Sequence, residues 1–231
     1  MPAHPSINIE ALLTHVPLFN GLSPEEIARL ARATKEIRAD KGDILFHKGD
    51  PCTGFHLLVH GQVKLAFTSA QGNEKVVEII SQGQSFGEAI MFMDKSYIVF
   101  AQALADSLLL HVSKTAIYEE LEHDPALCRK MLAGMAMRLH QLINDVESYS
   151  LQSGKQRIIG YLLRELPDEA LNGTNVAINL TTSKGIIASR LNLTQEHFSR
   201  ILHELSERGL IVVEGRTIHI PSVVKLRQHE G

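Results

Sequence analysis

Glu196, Ser199, Arg200 and His203 recur at i, i+3, i+4 and i+7 within the stretch LNLTQEHFSRILHEL, so a helix there gathers them on one side. Phe198, Ile201, Leu202 and Leu205 gather on the other. The chemistry open to the polar stripe is the reading of nucleic-acid bases. Arginine donates a bidentate pair of hydrogen bonds to guanine O6 and N7, glutamate accepts from the cytosine amino group, and serine meets either kind of edge. Near a helix start, such groups fit the major groove of double-stranded DNA. Base contact is therefore expected of Glu196, Ser199 and Arg200.

Such a stripe is useful only if other elements hold it in place. Thr182 or Ser183 is suited to cap a short helix running through Arg190, Asn192 to take the left-handed conformation of a tight turn, and Thr194 to cap the next helix. That is a helix-turn-helix. The following IVVEGRTIHI reads as two alternating strands around a hairpin turn at Glu214-Gly215, the wing of a winged helix. The competing reading is a pair of packed helices whose polar face is merely wet, but it does not need cap, turn residue, stripe and wing in that order. Lys184, Arg190, His197 and Arg216 are candidates for phosphate contact, with plain solvation as the alternative for each.

Upstream, Pro125 opens a long helical stretch in which Cys128, Leu132, Met135, Leu139, Leu142, Val146 and Tyr149 recur at alternating spacings of four and three. These are seam positions of a heptad. Arg129, Lys130, Arg138, Gln141, Asn144, Asp145 and Glu147 flank them, so the apolar stripe is narrow. A narrow stripe suits a helix-to-helix seam, hence a homodimer, while a helix packed in its own domain core is the alternative. About 25 helical residues span roughly 37 Å, enough to link two domains.

Nearer the start, Ser23 as N-cap, Pro24 at the first helical position and Glu26 at the capping-box position open a helix. From Lys41 to about Val112, short β-type runs are punctuated by glycines, which predicts an antiparallel roll or barrel. In its clearest strand pair, Phe55, Leu57, Val59, Val63, Leu65 and Phe67 share one parity and are expected to face the core. His56, Leu58, His60, Gln62 and Lys64 share the other, which leaves His56 and His60 solvated. The resulting architecture is α+β: residues 1–124 form a sensor domain, 125–150 a dimerisation helix, and 151–231 a winged helix-turn-helix.

The composition, 44% hydrophobic and 21% charged over 231 residues, is that of a folded protein. Residues 1–150 carry 13 Lys+Arg against 18 Asp+Glu, and residues 151–231 carry 10 against 8, so the small basic excess falls where DNA contact is expected. Two cysteines, Cys52 and Cys128, are too few for a disulfide framework or a four-thiolate cluster. No apolar run approaches the roughly 20 residues of a membrane span, and the N-terminus lacks the pattern of a signal peptide, so a cytoplasmic location is expected. Phosphate-binding glycine loops, H-E-x-x-H and G-x-S-x-G are absent, which argues against an enzyme.

Taken in chain order, the β-roll glycines, FGEAIMFMD at 86–94, the heptad helix and the winged helix resemble the CRP/FNR superfamily of bacterial transcription regulators over essentially the full chain. TQEHFSR looks like the E-x-x-S-R recognition signature of the FNR-like branch. The resemblance implies that Glu196, Ser199 and Arg200 read TTGAT half-sites of a palindrome, with the recognition helices of a dimer one DNA turn, roughly 34 Å, apart. It also implies RNA polymerase as a partner if the protein is an activator. The same roll serves in kinases and channels, so a ligand-responsive module acting through protein partners is the alternative; such a module has no need of the base-reading stripe.

Members of the superfamily differ mainly in their signal. Those that bind cyclic AMP hold its phosphate with an Arg-Ser pair shortly after a Gly-Glu; here Gly87 and Glu88 match, but Tyr97 and Ile98 replace the pair. That argues against cyclic AMP, with bulky Ile98 expected where the phosphate would lie. An iron-sulfur cluster of the FNR type needs cysteines near the N-terminus, and residues 1–40 contain none. EAIMFMD with these two absences is most like the dissimilative nitrate respiration regulators, a subgroup associated with haem, nitric oxide and denitrification. Haem needs an axial ligand, for which His140 and His15 are the candidates, although a structural hydrogen bond is the commoner role for such a histidine. Met91 and Met93 are expected to pack. A small signal between β-roll and long helix would then shift that helix and reorient the recognition helices.

Overall fold

A strand whose residues are buried on both faces must lie between two cores, and Gly54–His60 is such a strand. In a computed structural model describing residues 7–14, 16, 19, 22–167, 170 and 173–229, Phe55 and Leu57 point to one apolar cluster while Leu58 points to another. The chain divides into two compact units, Met1–His140 and Gln141–Gly231.

The first unit contains α1 (Ile9–Thr14), α2 (Pro24–Arg32), β1 (Thr34–Ala39), β2 (Ile44–Phe46), β3 (Gly54–His60), β4 (Val63–Thr68), β5 (Glu74–Ile80), β6 (Ser85–Phe86), α3 (Glu88–Phe92), β7 (Phe100–Ala103), β8 (Ser107–Ser113) and α4 (Lys114–His123). It ends on the first half of α5 (Pro125–Leu151), and the division between units falls inside that helix. Two four-stranded sheets of antiparallel pairs, β1-β8-β3-β6 and β2-β7-β4-β5, form the predicted roll. Between them lies a core that includes Phe46, Leu58, Val63, Phe86, Ala101 and Leu109. A second core, with Phe55, Leu57, Leu110 and Val112, joins the outer face of the first sheet to Phe19, Leu30, Met91, Ile117 and Leu127. Ser23 makes the predicted capping box with Glu26 at the start of α2.

Two expectations for the β3–β4 pair fail. The helices cover the parity of Phe55 and Leu57, as expected of a core face, but the opposite parity meets the second sheet, so His56 is only 5% exposed, against Phe46 and Phe86. His60, at the strand end, is exposed as expected. On β4, Val63 and Ala66 are buried while Phe67 is 41% exposed, and the register with β5 shifts between Leu65 and Ala66, where Val77 of β5 is the extra residue. Lys64, also buried, reaches Glu74 at 2.5 Å.

His56 stacks on Phe86 with centroids 5.1 Å apart and lies 4.8 Å from the ring of His111 on β8. Its Nδ1 is buried without a hydrogen-bond partner among the described residues. Burial, reinforced by His111, pushes its pKa down to about 3.

The second unit holds the rest of α5, then α6 (Gly154–Arg164), β9 (Thr174–Asn179), α7 (Lys184–Arg190), α8 (Gln195–Glu207), β10 (Val212–Glu214), β11 (Thr217–Ser222) and α9 (Val223–Gln228). A three-stranded antiparallel sheet, ordered β10-β11-β9, shares one core with these helices. Phe198, Leu205, Ile187, Ile159 and Ile218 are all fully buried there. Among the described residues no helix is long and apolar enough to cross a membrane.

The roll's buried imidazole makes stability depend on pH. The unfolded chain protonates His56 near its ordinary 6.5 and the folded chain only near 3, so stability falls as pH drops through that interval. A His56→Phe variant is expected to lose about 2 kcal/mol less than the parent between pH 7.5 and pH 5 in denaturant titrations. Equal losses in the two proteins refute this assignment.

Candidate nucleic-acid interface

Hydroxyl caps start both helices of the helix-turn-helix. Of the two capping candidates for α7 it is Ser183 that accepts from the amide of Ile186, and at α8 Thr194 accepts from His197. Between them Asn192 has φ 58°, the left-handed conformation read from its type. Leu193 N–H donates to Ala188 C=O and Asn192 N–H to Ser189 C=O, the paired bonds of a Schellman ending. Helix α8 ends the same way, with Gly209 at φ 66° and bonds from Leu210 to Leu205 and from Gly209 to Ser206.

Between those ends, Phe198, Ile201, Leu202 and Leu205 are buried, and Glu196, Ser199, Arg200 and His203 are exposed. The first three occupy the opening two turns, where a helix laid in a groove meets base edges. His203 lies one turn further and faces Glu207 at 3.4 Å. Arg216 is exposed beside Gly215, whose φ is 62°, and the register Glu214↔Thr217 centres the hairpin on Gly215-Arg216, one residue beyond the predicted turn. Lys184 and His197 are half-buried at the first turns of α7 and α8.

Two assignments need correction. Arg190, a candidate for phosphate contact, donates from Nη2 to Asp145 at 2.6 Å and from Nη1 to the Tyr149 hydroxyl. Its side chain is 19% exposed, and its charge is already matched inside the second unit. Tyr149, placed on the seam, instead turns toward α7 and donates its hydroxyl to the Arg190 carbonyl. The rest of the seam divides by exposure: Cys128 and Met135 are half-buried, while Leu132, Leu139, Leu142 and Val146 are 57%, 61%, 48% and 64% exposed. Ile143 and Met137, outside the heptad pattern, are exposed too.

In the first unit, Tyr97 is buried and stacks on Phe46 at 3.6 Å, while Ile98 is 52% exposed, so the aromatic ring rather than Ile98 fills the interior there. Glu88 is buried and pairs with Arg138 of α5 at 3.0 Å. Heptad reading had set Arg138 aside as a flanking residue, and only its i+3 offset from Met135 hinted that it faces the roll. A cavity of about 420 Å³ lies beside this pair, with Leu57, Met131 and Met135 among its walls and Lys130 at its edge. Met91 packs in the core as expected, but Met93 is 51% exposed. His140 is exposed on α5, and His15 lies outside the described residues. Among the described residues no group of three or more His, Cys, Asp or Glu is placed to hold a metal ion.

Comparison with known proteins agrees with this geometry. Residues 36–124 match the cyclic nucleotide-binding domain and residues 156–229 the Crp-like helix-turn-helix domain. The cyclic AMP receptor protein of Thermus thermophilus is 24% identical over 92% of this chain and 95% of its own length. The solved structure of the transcriptional regulator DNR from Pseudomonas aeruginosa is 32% identical, covering 98% of this chain and 99% of that one, with a TM-score of 0.52. A CooA variant from Carboxydothermus hydrogenoformans, 18% identical with 98% and 97% coverage, shares the fold at a TM-score of 0.75. The Crp-like helix-turn-helix domain and the curated relative are those of transcription regulators, which are not enzymes. With a nucleotide-binding-type β-roll, a long connecting helix and a winged helix-turn-helix in that order, the chain belongs to the CRP/FNR family of DNA-binding transcription regulators.

Proposed function

We propose that this regulator is a cytoplasmic homodimer of the FNR-like branch that reads a TTGAT palindrome and responds to a small signal. The observation that carries the reading is the exposed triplet Glu196, Ser199 and Arg200 on the first two turns of a capped, core-anchored α8. Arg200 supplies the bidentate pair for guanine, Glu196 the acceptor for cytosine, and Ser199 a contact to either edge. Lys184, His197 and Arg216 are the residues assigned in this reading to backbone phosphates. The exposed leucines and valine of α5 are the surface a second copy would cover. As an activator, such a dimer would also meet RNA polymerase.

The signal reading carried by the resemblance is nitric oxide through haem, as in the dissimilative nitrate respiration subgroup. The cavity beside Arg138 has thioether and leucine walls with Lys130, Arg138 and Glu88 among its lining, and among the described residues no imidazole lines it. With His140 exposed on α5, no axial ligand at the cavity is found among the described residues. The haem reading therefore rests on the resemblance. What the chain's own residues provide is a route: a small molecule entering between the β-roll and the first half of α5 disturbs the pair of buried Glu88 and half-buried Arg138, and α5 repacks.

Three measurements test the proposal. Arg200→Ala is expected to weaken binding to the palindrome by about 1 to 3 kcal/mol and to relax preference at the guanine, read by binding to single-base variants of the site; an unchanged preference removes Arg200 from base reading. Leu139→Asp is expected to give monomers in analytical ultracentrifugation, whereas a dimer indistinguishable from the parent would move the interface off α5. Haem added under reducing, oxygen-free conditions should give a sharp Soret band that shifts with nitric oxide while DNA affinity changes in parallel. No stoichiometric haem binding, with DNA binding intact, removes haem and leaves the regulator.

A further inference from the structure

The turn between α7 and α8 has three successive backbone carbonyls, those of Arg190, Leu191 and Asn192, each held by a side chain from a preceding helix. Tyr149 of α5 donates its hydroxyl to the first. Arg157 of α6 donates from Nη1 to the second at 2.7 Å and to the third at 3.3 Å. The guanidinium of Arg157 also lies 5.9 Å from the centre of the Tyr149 ring, so the two holding groups contact one another. Arg190 closes the set, its guanidinium gripped by Asp145 and by the same Tyr149 oxygen.

Asp145 and Tyr149 lie one turn apart on a single face of α5, and Gln141 one turn before them donates to Asp145 at 3.2 Å. Asp145 is 6% exposed, so its charge is compensated within the protein by Arg190 rather than by water. Burial raises the pKa of Tyr149, which keeps the proton it donates to the turn. Two cations, Arg157 and Arg190, thus lie at the C-terminal end of α7, where the helix dipole favours positive charge. A surface ornament would not bury an aspartate to hold a turn.

We infer that Asp145, Tyr149 and Arg157 are positioning residues for DNA recognition: they clamp the turn of the helix-turn-helix to the end of α5, so that α8 turns with that helix. The clamped residues 141–151 continue the helix that carries Leu132 and Leu139. A change in the direction of the end of α5 is therefore delivered to the turn as a rotation. In a dimer the same clamp fixes the distance between two recognition helices.

The test uses full-length protein with Tyr149→Phe, which removes one hydroxyl and keeps the ring, and with Asp145→Asn, which keeps the shape and removes the charge. The palindrome that the parent selects from random DNA is rebuilt with the half-sites moved one base pair closer and one further apart. The parent is expected to lose at least tenfold in affinity at either altered spacing. Both variants are expected to bind the optimal site about tenfold more weakly, to lose much less on respacing, and to keep the parent's affinity for non-specific DNA. Hydrogen exchange supplies a second readout that needs no DNA site: amides 191–197 should exchange at least tenfold faster in the variants, with those of the β-roll unchanged. An unaltered spacing profile together with unaltered exchange in the turn overturns the inference. A parent that selects no palindrome would count against the site reading alone, and the exchange data would still decide the clamp.

Discussion

The end of α7 leaves carbonyls that its own helix cannot satisfy, and the direction of the recognition helix depends on how they are met. Two are taken by the Schellman bonds of Leu193 and Asn192, which set the angle between α7 and α8 locally. The next three are taken by Tyr149 and Arg157, which refer that angle to α5 and α6. Local chemistry gives the motif its shape, and the charged side chains give it a frame. The buried apolar face of α8 then presses the motif onto its core, leaving the opposite stripe wet.

Helix α5 has to serve three neighbours, and its sequence separates them by face. Its first half packs Leu127 and Met131 into the roll's outer core and sends Arg138 to Glu88. Leu132, Leu139, Leu142 and Val146 form a second, uncovered face. Asp145 and Tyr149 make the third, toward the turn before α8. Apolar contacts tolerate small sliding, whereas the buried ion pairs at either half have one good geometry. The charged contacts thus define the helix's position, and the apolar ones supply its adhesion.

What could be read from residue types alone was chemistry that acts over three or four positions. Ser23, Ser183, Thr194 and Asn192 hold the conformations their types favour, and the buried face of α8 follows its 3.6-residue period. The errors arose where partners distant in sequence decide the outcome. Alternation assumes one covered face and so leaves His56 wet, and nothing near it in sequence announces that a second sheet covers the face opposite the helices. Strand alternation groups Phe67 with Val63 and Leu65, but it lies 41% exposed near the end of β4, where the period no longer decides burial. Arg190 and Tyr149 have the types expected of a phosphate contact and a seam residue; only the approach of α5 to α7 pairs them instead. Tyr97 and Ile98 stand where the resemblance expects an Arg-Ser pair, and which of them fills the interior depends on Phe46.

Helix α8 lies between two left-handed residues, Asn192 and Gly209, each closing a Schellman ending. Its length is therefore fixed from both sides, and its thirteen residues cannot be extended by fraying or by borrowing a turn. One residue inserted between the caps would rotate everything after it by about 100°, carrying the outer side chains into the core and the core side chains into water. Substitutions on the wet stripe can change which bases are preferred and leave the scaffold intact, whereas insertions cannot. The helix has a reading frame of its own, so drift in DNA preference among descendants of this chain should run through exchanged letters and never through added ones.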